Sequence, residues 1–267
     1  MAAVETGIGS FPNSFSLAGK VALVTGGTRG IGKAIVRAFA EAGARVVLSS
    51  EDLAACAATE AEFRAAGWNV AGITCDVAEN AQLKRLVDEA RAISGNIDIL
   101  VCNAGIEGPV GPVHTAEPAD YDRLMNINLR SVVSLTSLVI PDMALRGSGS
   151  VILMSSIAGL RGNKMIGVYG LAKAAIAQLA RNLAVEWGPS NVRVNAISPG
   201  LIDTDFARKI LADENYLSRR LSLTPLRRPG VPEEVACATL FLASAAGGFV
   251  TGHNLVVDGG TIISDGN

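Results

Sequence analysis

Tyr169 and Lys173 stand four residues apart in YGLAK, a spacing that puts both side chains on one face of a helix. An ammonium beside a phenol favours the phenolate, so it draws a group whose ordinary pKa is about 10 toward neutrality. Such a tyrosine can donate a proton to a carbonyl oxygen while hydride reaches the carbon, and can act as the base when the alcohol is oxidised. Ser156 ends SVILMSS, at the C-terminal edge of an expected strand, where its hydroxyl can bind the same oxygen. Asn128 lies inside a long helical pattern, where an amide either satisfies a bend or holds water in a proton path. Each residue also has a plain structural use, as a buried tyrosine capped by a lysine, a turn serine or a mid-helix amide. It is their combination that points to carbonyl and alcohol chemistry.

A second set of residues has the character of an anion cradle. TGGTRGIG places glycines at 26, 27, 30 and 32 after an expected strand and at the start of a helix. Glycine tightens such a turn and lets the backbone approach a pyrophosphate at the helix N-terminus. The spacing is not the usual G-x-G-x-x-G, and a packing turn is the alternative. CNAG at 102–105 follows another strand with small residues that would let an adenosine ribose or the cofactor backbone lie against the chain. Asp76, in ITCDV, either accepts from an adenine amino group or caps a helix.

These residues need a scaffold that brings strand ends together. Short β-branched runs at Val21–Thr25, Arg45–Leu48, Asn69–Thr74, Ile97–Val101, Ser150–Met154, Val192–Ile197 and Asn254–Val257 predict strands. Between them, helices are expected at Ile31–Glu41, Leu53–Ala65, Ala81–Ala92, Ala119–Leu138, Val168–Glu186 and Pro232–Ala243. The strands are nearly continuous in apolar residues, which implies an α/β fold with a doubly wound parallel sheet covered by helices on both faces. Residues 17–267 read as one domain, in which Leu201–Pro229 forms short helices in a lid over the site mouth. The first sixteen residues read as a loose tail.

A chain of 267 residues with 49 % apolar residues and a formal charge of -2 can bury a large core, and it suits neither disorder nor an electrostatic nucleic-acid binder. Cysteines at 56, 75, 102 and 237 lack metal-type pairing and suit isolated buried thiols in a reducing, cytoplasmic setting; no metal is expected. The opening MAAVETGIGSFPNSFS has no Lys, Arg or long apolar run, which argues against a targeting peptide. Val235–Val257 carries no charged residue but is interrupted by AAGG and His253, so a buried helix, loop and strand are expected there and no membrane span.

From Leu17 to Gly260 the chain resembles the short-chain dehydrogenase/reductase family. TGGTRGIG matches its TGxxxGxG motif, CNAG its NNAG motif with Cys102 in place of the first Asn, and Tyr169 with Lys173 its YxxxK. MNINL around Asn128, SPGLIDT at 198–204 and VDGG at 257–260 match further landmarks. The resemblance implies a single Rossmann-like domain and a catalytic tetrad of Asn128, Ser156, Tyr169 and Lys173. It further implies that Lys173 holds the nicotinamide ribose, that Asn128 anchors a relay water and that Ile202 and Thr204 lie around the carboxamide. The implied cofactor surface takes Gly26, Thr28, Arg29, Gly30, Ile31 and Gly32 from the first turn, and Ser50, Glu51, Asp76 and Val77 from the next two strand ends. Asn103, Ala104, Gly105, Pro199 and Gly200 complete it with Tyr169 and Lys173. A homotetramer is the assembly implied.

Arg29, just before Gly30, stands where NADP-preferring members often bind the 2'-phosphate, whereas in VVLSSED Glu51 argues for NAD(H): in NADP-preferring members Arg commonly stands where Glu51 is, while NAD-preferring members often carry an acid at the position of Ser50. A carboxylate accepts from a free ribose hydroxyl and disfavours a phosphate, so NAD(H) is the expected preference. Glu51 is alternatively an exposed carboxylate in the first turn of the next helix, and Arg29 either stacks near adenine or pairs with Glu51. The expected substrate is a small or medium-sized, mainly apolar ketone or secondary alcohol, with Ile106, Pro109, Val110, Leu160, Met165, Ile166 and Phe206 lining the pocket or packing locally. Arg161 and Lys164 would meet an acidic substrate or form a solvated rim. A 3-oxoacyl-carrier-protein reductase, with a basic patch at Arg123, Arg130 or Arg161, and a nonenzymatic nucleotide-sensing scaffold are the alternatives.

Overall fold

The computed structural model describes residues 11–264. Its strands are β1 (Val21–Thr25), β2 (Arg45–Ser50), β3 (Val70–Thr74), β4 (Ile99–Cys102), β5 (Gly149–Met154), β6 (Val192–Pro199) and β7 (Asn254–Val257). The helices are α1 (Gly30–Glu41), α2 (Leu53–Ala65), α3 (Asn80–Ser94), α4 (Pro118–Met125), α5 (Ser131–Leu145), α6 (Gly167–Trp187), α7 (Arg208–Ala212), α8 (Glu214–Ser222) and α9 (Pro232–Ala243). The strands pair in the order β3-β2-β1-β4-β5-β6-β7, every neighbour parallel.

Side chains alternate across each strand, so one sequence run feeds two cores. Val24, Leu48, Val101 and Ile152 pack with α1, α2 and α9, whereas Leu23, Val47, Leu100 and Val151 pack with α3, α5 and α6. Full burial of a Leu, Ile or Phe side chain contributes about 1.5–3 kcal/mol, and Leu23, Ile35, Phe39, Leu48 and Leu100 are all completely inside. The order reverses at β1 and β4, which puts a crevice at their C-terminal ends, where both the glycine turn and the NAG turn emerge.

The expected helix Ala119–Leu138 is longer and is divided: α4 runs into a π turn at Asn126–Arg130 and then α5. Pro141 does not end α5; a proline forfeits one helical hydrogen bond, and burial of Val139, Ile140 and Met143 around it offsets that cost. Pro118–Leu145 as a whole is long and apolar enough to cross a membrane, but half of its most apolar window is buried in the fold. The loose-tail expectation fails for 11–16: Phe11–Phe15 makes a 3-10 turn, Ser14 is buried, and the next residue, Leu17, is buried and donates its N–H to Ala42 at 2.8 Å. Residues 1–10 of the expected tail lie outside the described residues. Cys237 is also exposed, unlike the other three thiols.

The 201–229 segment does form short helices, a 3-10 turn at Asp205–Ala207 followed by α7 and α8. It is closed at its base, where Asp203 N–H donates to Gly230 at 2.8 Å and Gly230 N–H to Leu201 at 2.9 Å. Arg228 grips Glu234 through two hydrogen bonds of 2.9 and 2.6 Å beside that closure.

Candidate active site

Thr25, the last residue of β1, ties the two turns of the crevice together. Its Oγ1 accepts from the N–H of Asn103 at 3.1 Å and of Ala104 at 3.2 Å, while Asn103 Nδ2 donates to the carbonyls of Thr25 and Gly26 at 3.1 Å each. Gly26 holds φ +65°, and a Cβ there would lie 3.0 Å from Ala104 Cα. At Gly32 a Cβ would lie 1.9 Å from the Gly26 carbonyl oxygen, so only glycine lets α1 start this close to the turn. Arg29 gives α1 no side-chain cap, which leaves the first-turn N–H groups of Gly30, Ile31 and Gly32 without a helical partner at the glycine turn. This glycine cradle and uncapped helix end fit a pyrophosphate. A cleft of about 650 Å³ opens here between Gly30 and residues Thr204, Asp205 and Arg208 of the 201–229 segment.

The other expected cofactor residues ring the same strand ends. Ser50 is buried at the end of β2, and its Oγ donates to Glu51 at 3.2 Å and accepts from Asp52 N–H at 3.3 Å. Glu51 pairs with Arg29 at 3.6 Å, both side chains largely exposed, whereas Asp52 caps α2 by accepting from Ala55 N–H at 3.0 Å. Asp76 is exposed and Val77 buried; Asp76 Oδ1 accepts from Ala78 N–H at 2.9 Å, closing a small turn, while Glu79 stands before α3. Asp76 is therefore a turn residue and does not cap the helix. Pro199 ends β6, Gly200 N–H donates to Val257 at 2.9 Å, and Ile202 is buried. Thr204 leans over the glycine turn, its Cγ2 3.3 Å from where a Gly30 Cβ would stand.

Ser156, Tyr169 and Lys173 converge at the C-terminal end of β5. Ser155 Oγ donates to the Lys173 carbonyl at 2.7 Å, and Lys173 Nζ donates to the Met154 carbonyl at 2.8 Å, so strand and helix are stitched at the reacting end. Ser156 Oγ accepts from Ala158 N–H at 3.1 Å, and its hydroxyl favours the ionised form of Tyr169. Lys173 Nζ lies 5.5 Å from the centre of the Tyr169 ring, and a Cβ on Gly105 would be 3.6 Å from it.

The expectation that Lys173 draws Tyr169 toward neutrality is corrected here. Burial pushes the phenol up to about 12, against the pull of the Ser156 hydrogen bond and with the help of the Glu107 charge. Burial also brings Lys173 down to about 8, partly opposed by Cys102. The ammonium stands over the ring and bonds Met154, so desolvation wins at the hydroxyl.

Asn128 sits in the π turn, buried. Its Oδ1 accepts from Ile106 N–H and its Nδ2 donates to the Ile106 carbonyl, both at 2.8 Å. The amide is thus a clamp on the chain leaving CNAG, and the extra residue of the π turn is what aims it inward. Of the expected pocket, Val110, Leu160, Met165 and Phe206 are exposed, Ile106 packs on Leu124 and Val168, and Gly111 bridges Ile166 beyond Pro109. Phe206, in the 3-10 turn at Asp205–Ala207, comes within 6.2 Å of Tyr169, ring centre to ring centre.

A family model described as enoyl-(acyl carrier protein) reductase matches residues 26–261. A tropinone reductase homolog of Arabidopsis thaliana is 39 % identical over 254 residues, 94 % of this chain and 95 % of the relative. Dehydrogenase/reductase SDR family member 4 of Sus scrofa is 38 % identical over 92 % of this chain and 88 % of its own length. Among solved structures, a gluconate 5-dehydrogenase from Burkholderia cenocepacia in complex with NADP and tartrate superposes with TM-score 0.91 at 35 % identity, covering 94 % of this chain and 98 % of that one. A 7α-hydroxysteroid dehydrogenase complexed with NADH and 7-oxo glycochenodeoxycholic acid gives 0.88 at 37 % identity, covering 93 % and 96 %. The chain belongs to the short-chain dehydrogenase/reductase family.

This short-chain dehydrogenase/reductase is an NAD(P)-dependent oxidoreductase acting on CH–OH groups and small carbonyl or alcohol substrates. Two of its supporting residues escaped the sequence reading, and of a third only the role did. Thr25 was legible as the first letter of TGGTRGIG, but its double acceptor role depends on β4 lying beside β1. Ser155 and Glu107 gave no signal, because their partners at Lys173 and Tyr169 are distant in sequence.

Proposed function

We propose that the enzyme interconverts a small or medium-sized ketone and its secondary alcohol, with NAD(H) favoured over NADP(H). The observation that carries the chemistry is the convergence of Ser156, whose hydroxyl acts on the Tyr169 phenol, with Lys173 over the Tyr169 ring, at the end of β5. In reduction Tyr169 gives its proton to the substrate oxygen, and in oxidation it takes that proton back; Ser156 donates a hydrogen bond to the same oxygen. The nicotinamide cofactor, when bound, supplies or accepts the hydride at the substrate carbon. The glycine turn and the Thr25 and Asn103 clamp would hold its pyrophosphate, Lys173 its nicotinamide ribose, and Ile202 and Thr204 its carboxamide end. Asn128 acts through Ile106, whose backbone it fixes.

Glu51 supports the NAD(H) preference. Arg29 already faces a carboxylate at 3.6 Å, and Ser50 holds that carboxylate from the other side. A 2'-phosphate would gain Arg29 and meet Glu51 together. Exposed pairs are worth roughly 0–1 kcal/mol, so the preference expected is modest, about tenfold or less. The test is kcat/KM for NADH and NADPH in the natural chain and in Glu51→Arg, read over a panel of ketones and alcohols in both directions. Preference for NADPH in the natural chain would sink the NAD(H) reading, and a shift toward NADPH in the variant is the expected result.

A second substrate reading, a 3-oxoacyl chain on a carrier protein, draws support from the carrier-protein reductase model and from Arg123 and Arg130, both exposed on the α4 side. Faster turnover of a pantetheine-linked 3-oxoacyl substrate than of any free ketone would favour it. A homotetramer is proposed as well, supported by the exposed apolar side chains Leu145, Leu171, Val185 and Phe249. Light scattering on the purified protein tests it, and a monomer at all concentrations would reject it.

A further inference from the structure

The cleft at the glycine turn is lined by Gly30 together with Asp203, Thr204, Asp205 and Arg208 of the 201–229 segment. The two parts stand close. Thr204 turns its hydroxyl back to the Ile202 carbonyl at 3.3 Å, and its Cγ2 and Cβ lie 3.3 and 3.6 Å from the place of a Gly30 Cβ. From Thr204 the chain makes a 3-10 turn at Asp205–Ala207 and enters α7 at Arg208. Four residues of such backbone complete about one turn, which returns Arg208 to the side on which Thr204 stands. The guanidinium is thereby placed at the cleft that holds the uncapped start of α1.

The charges there are poorly matched to one another. Arg208 Nη2 donates to Asp205 Oδ1, and among the described residues the guanidinium has no other hydrogen bond or ion pair. The two side chains are 75 and 63 % exposed, so water and salt weaken their attraction and a second anion can compete for it. Asp203 donates its backbone N–H to Gly230, but its carboxylate has no partner among the described residues. The cleft therefore sets two carboxylates against one guanidinium. The cations nearer the cradle are already committed, Arg29 to Glu51 at 3.6 Å and Lys33 to Glu62 at 2.7 Å. Arg208 is the cation that lines the cleft, and its planar fork of donors suits phosphate oxygens better than a single carboxylate oxygen.

We propose that Arg208 is a further cofactor-binding residue, an exchangeable counter-charge that leaves Asp205 for the pyrophosphate when the dinucleotide enters the cleft. Asp205 is the competing partner: it holds the guanidinium beforehand and takes it back on release. One charge-assisted hydrogen bond replaces another, and no proton moves. NAD(H) and NADP(H) share the pyrophosphate, so Arg208 strengthens both alike, whereas Glu51 acts only where they differ.

The test is the dissociation constant of NADH and of NADPH by titration calorimetry, and of adenosine by competition with NADH fluorescence. It is run on the natural chain, Arg208→Gln, Arg208→Lys and Asp205→Asn. Arg208→Gln should weaken NADH and NADPH by the same factor, roughly fivefold or more, and flatten the salt dependence of both, while adenosine changes less than about twofold. Arg208→Lys should keep part of the affinity, as a point charge without the fork. Asp205→Asn should tighten both dinucleotides by about two- to fivefold, because the guanidinium then has no competitor. Unchanged dinucleotide affinity in Arg208→Gln, or an equal loss for adenosine, would overturn the proposal. So would a loss confined to NADPH, which would put Arg208 at the 2'-phosphate. Weaker binding in Asp205→Asn would overturn the exchange, and it decides the matter even if Arg208→Gln folds poorly.

Discussion

At the glycine-turn wall of the cleft, Thr25, Gly26, Asn103 and Ala104 are knit by four hydrogen bonds of 3.1 to 3.2 Å, and most of the contact surface is backbone. Across from it, Leu160, Met165 and Phe206 are each about half exposed, at 44, 45 and 53 %, and the 201–229 segment that carries Phe206 is joined to the body at Gly230 and, through Thr224 and Leu226, at Thr261 and Gly259. The first wall is made from groups every residue has, held by a few small side chains, so it can receive one kind of ligand and tolerates little change. The second is made from side chains that pack on few neighbours, so its identities can change without cost to the fold. A cofactor wall of the first kind and a substrate wall of the second explain why relatives named for tropinone, gluconate and steroid chemistry share this scaffold.

The sharpest way to separate the walls is Tyr169→Phe. It should lower kcat/KM by roughly 10²- to 10⁴-fold while cofactor affinity, followed by fluorescence titration, stays within about twofold. Turnover near that of the natural chain would remove Tyr169 from proton transfer.

The pH dependence comes next in size. With the Tyr169 proton held up to about 12, the phenolate needed for alcohol oxidation is scarce near neutrality. Its fraction grows about tenfold per pH unit below that value, so kcat/KM for oxidation should climb with pH while that for reduction, which needs the phenol, stays level. Above about 8 the loss of charge on Lys173 should bend the oxidative rise downward. A level oxidative profile would mean that Tyr169 ionises far lower than its burial implies.

Asn128→Ala would leave the Ile106 N–H and C=O without partners, at about 1–3 kcal/mol for each group. A fall in Tm together with a raised KM is expected, and an unchanged Tm would mean that water replaces the clamp. Gly32→Ala tests the rigid wall directly. Forcing a Cβ into the 1.9 Å gap should cost about 1–3 kcal/mol and weaken cofactor binding roughly tenfold or more by titration calorimetry. The smallest effect belongs to Phe206→Ala, where stability should move by no more than about 0.5 kcal/mol and KM for ketones by a few-fold. A large loss of stability there would break the contrast between the walls.

Several elements were legible to the residue. Leu53–Ala65, Pro232–Ala243 and Asn254–Val257 have the bounds their pattern predicts, helped by the Asp52 cap and by Pro232 at a helix start. The convergence of Ser156, Tyr169 and Lys173 was equally readable from the helical spacing and the strand end. The π turn was not, because the force that produces it is a pair of hydrogen bonds from Asn128 to a residue 22 positions earlier. Nor could the two acids of VVLSSED be told apart: Asp52 is spent on a helix end, while Glu51 remains at the crevice opposite Arg29.

What the sequence by itself determined was the alternation of strand and helix, the glycine cradle and the spacing of tyrosine and lysine, since each depends on neighbours a few residues away. Only the tertiary structure decided that Tyr169 keeps its proton and that Asn128 is a clamp. Those outcomes follow from burial and from charges meeting through space, and neither quantity exists until β1, β4, β5 and α6 have come together.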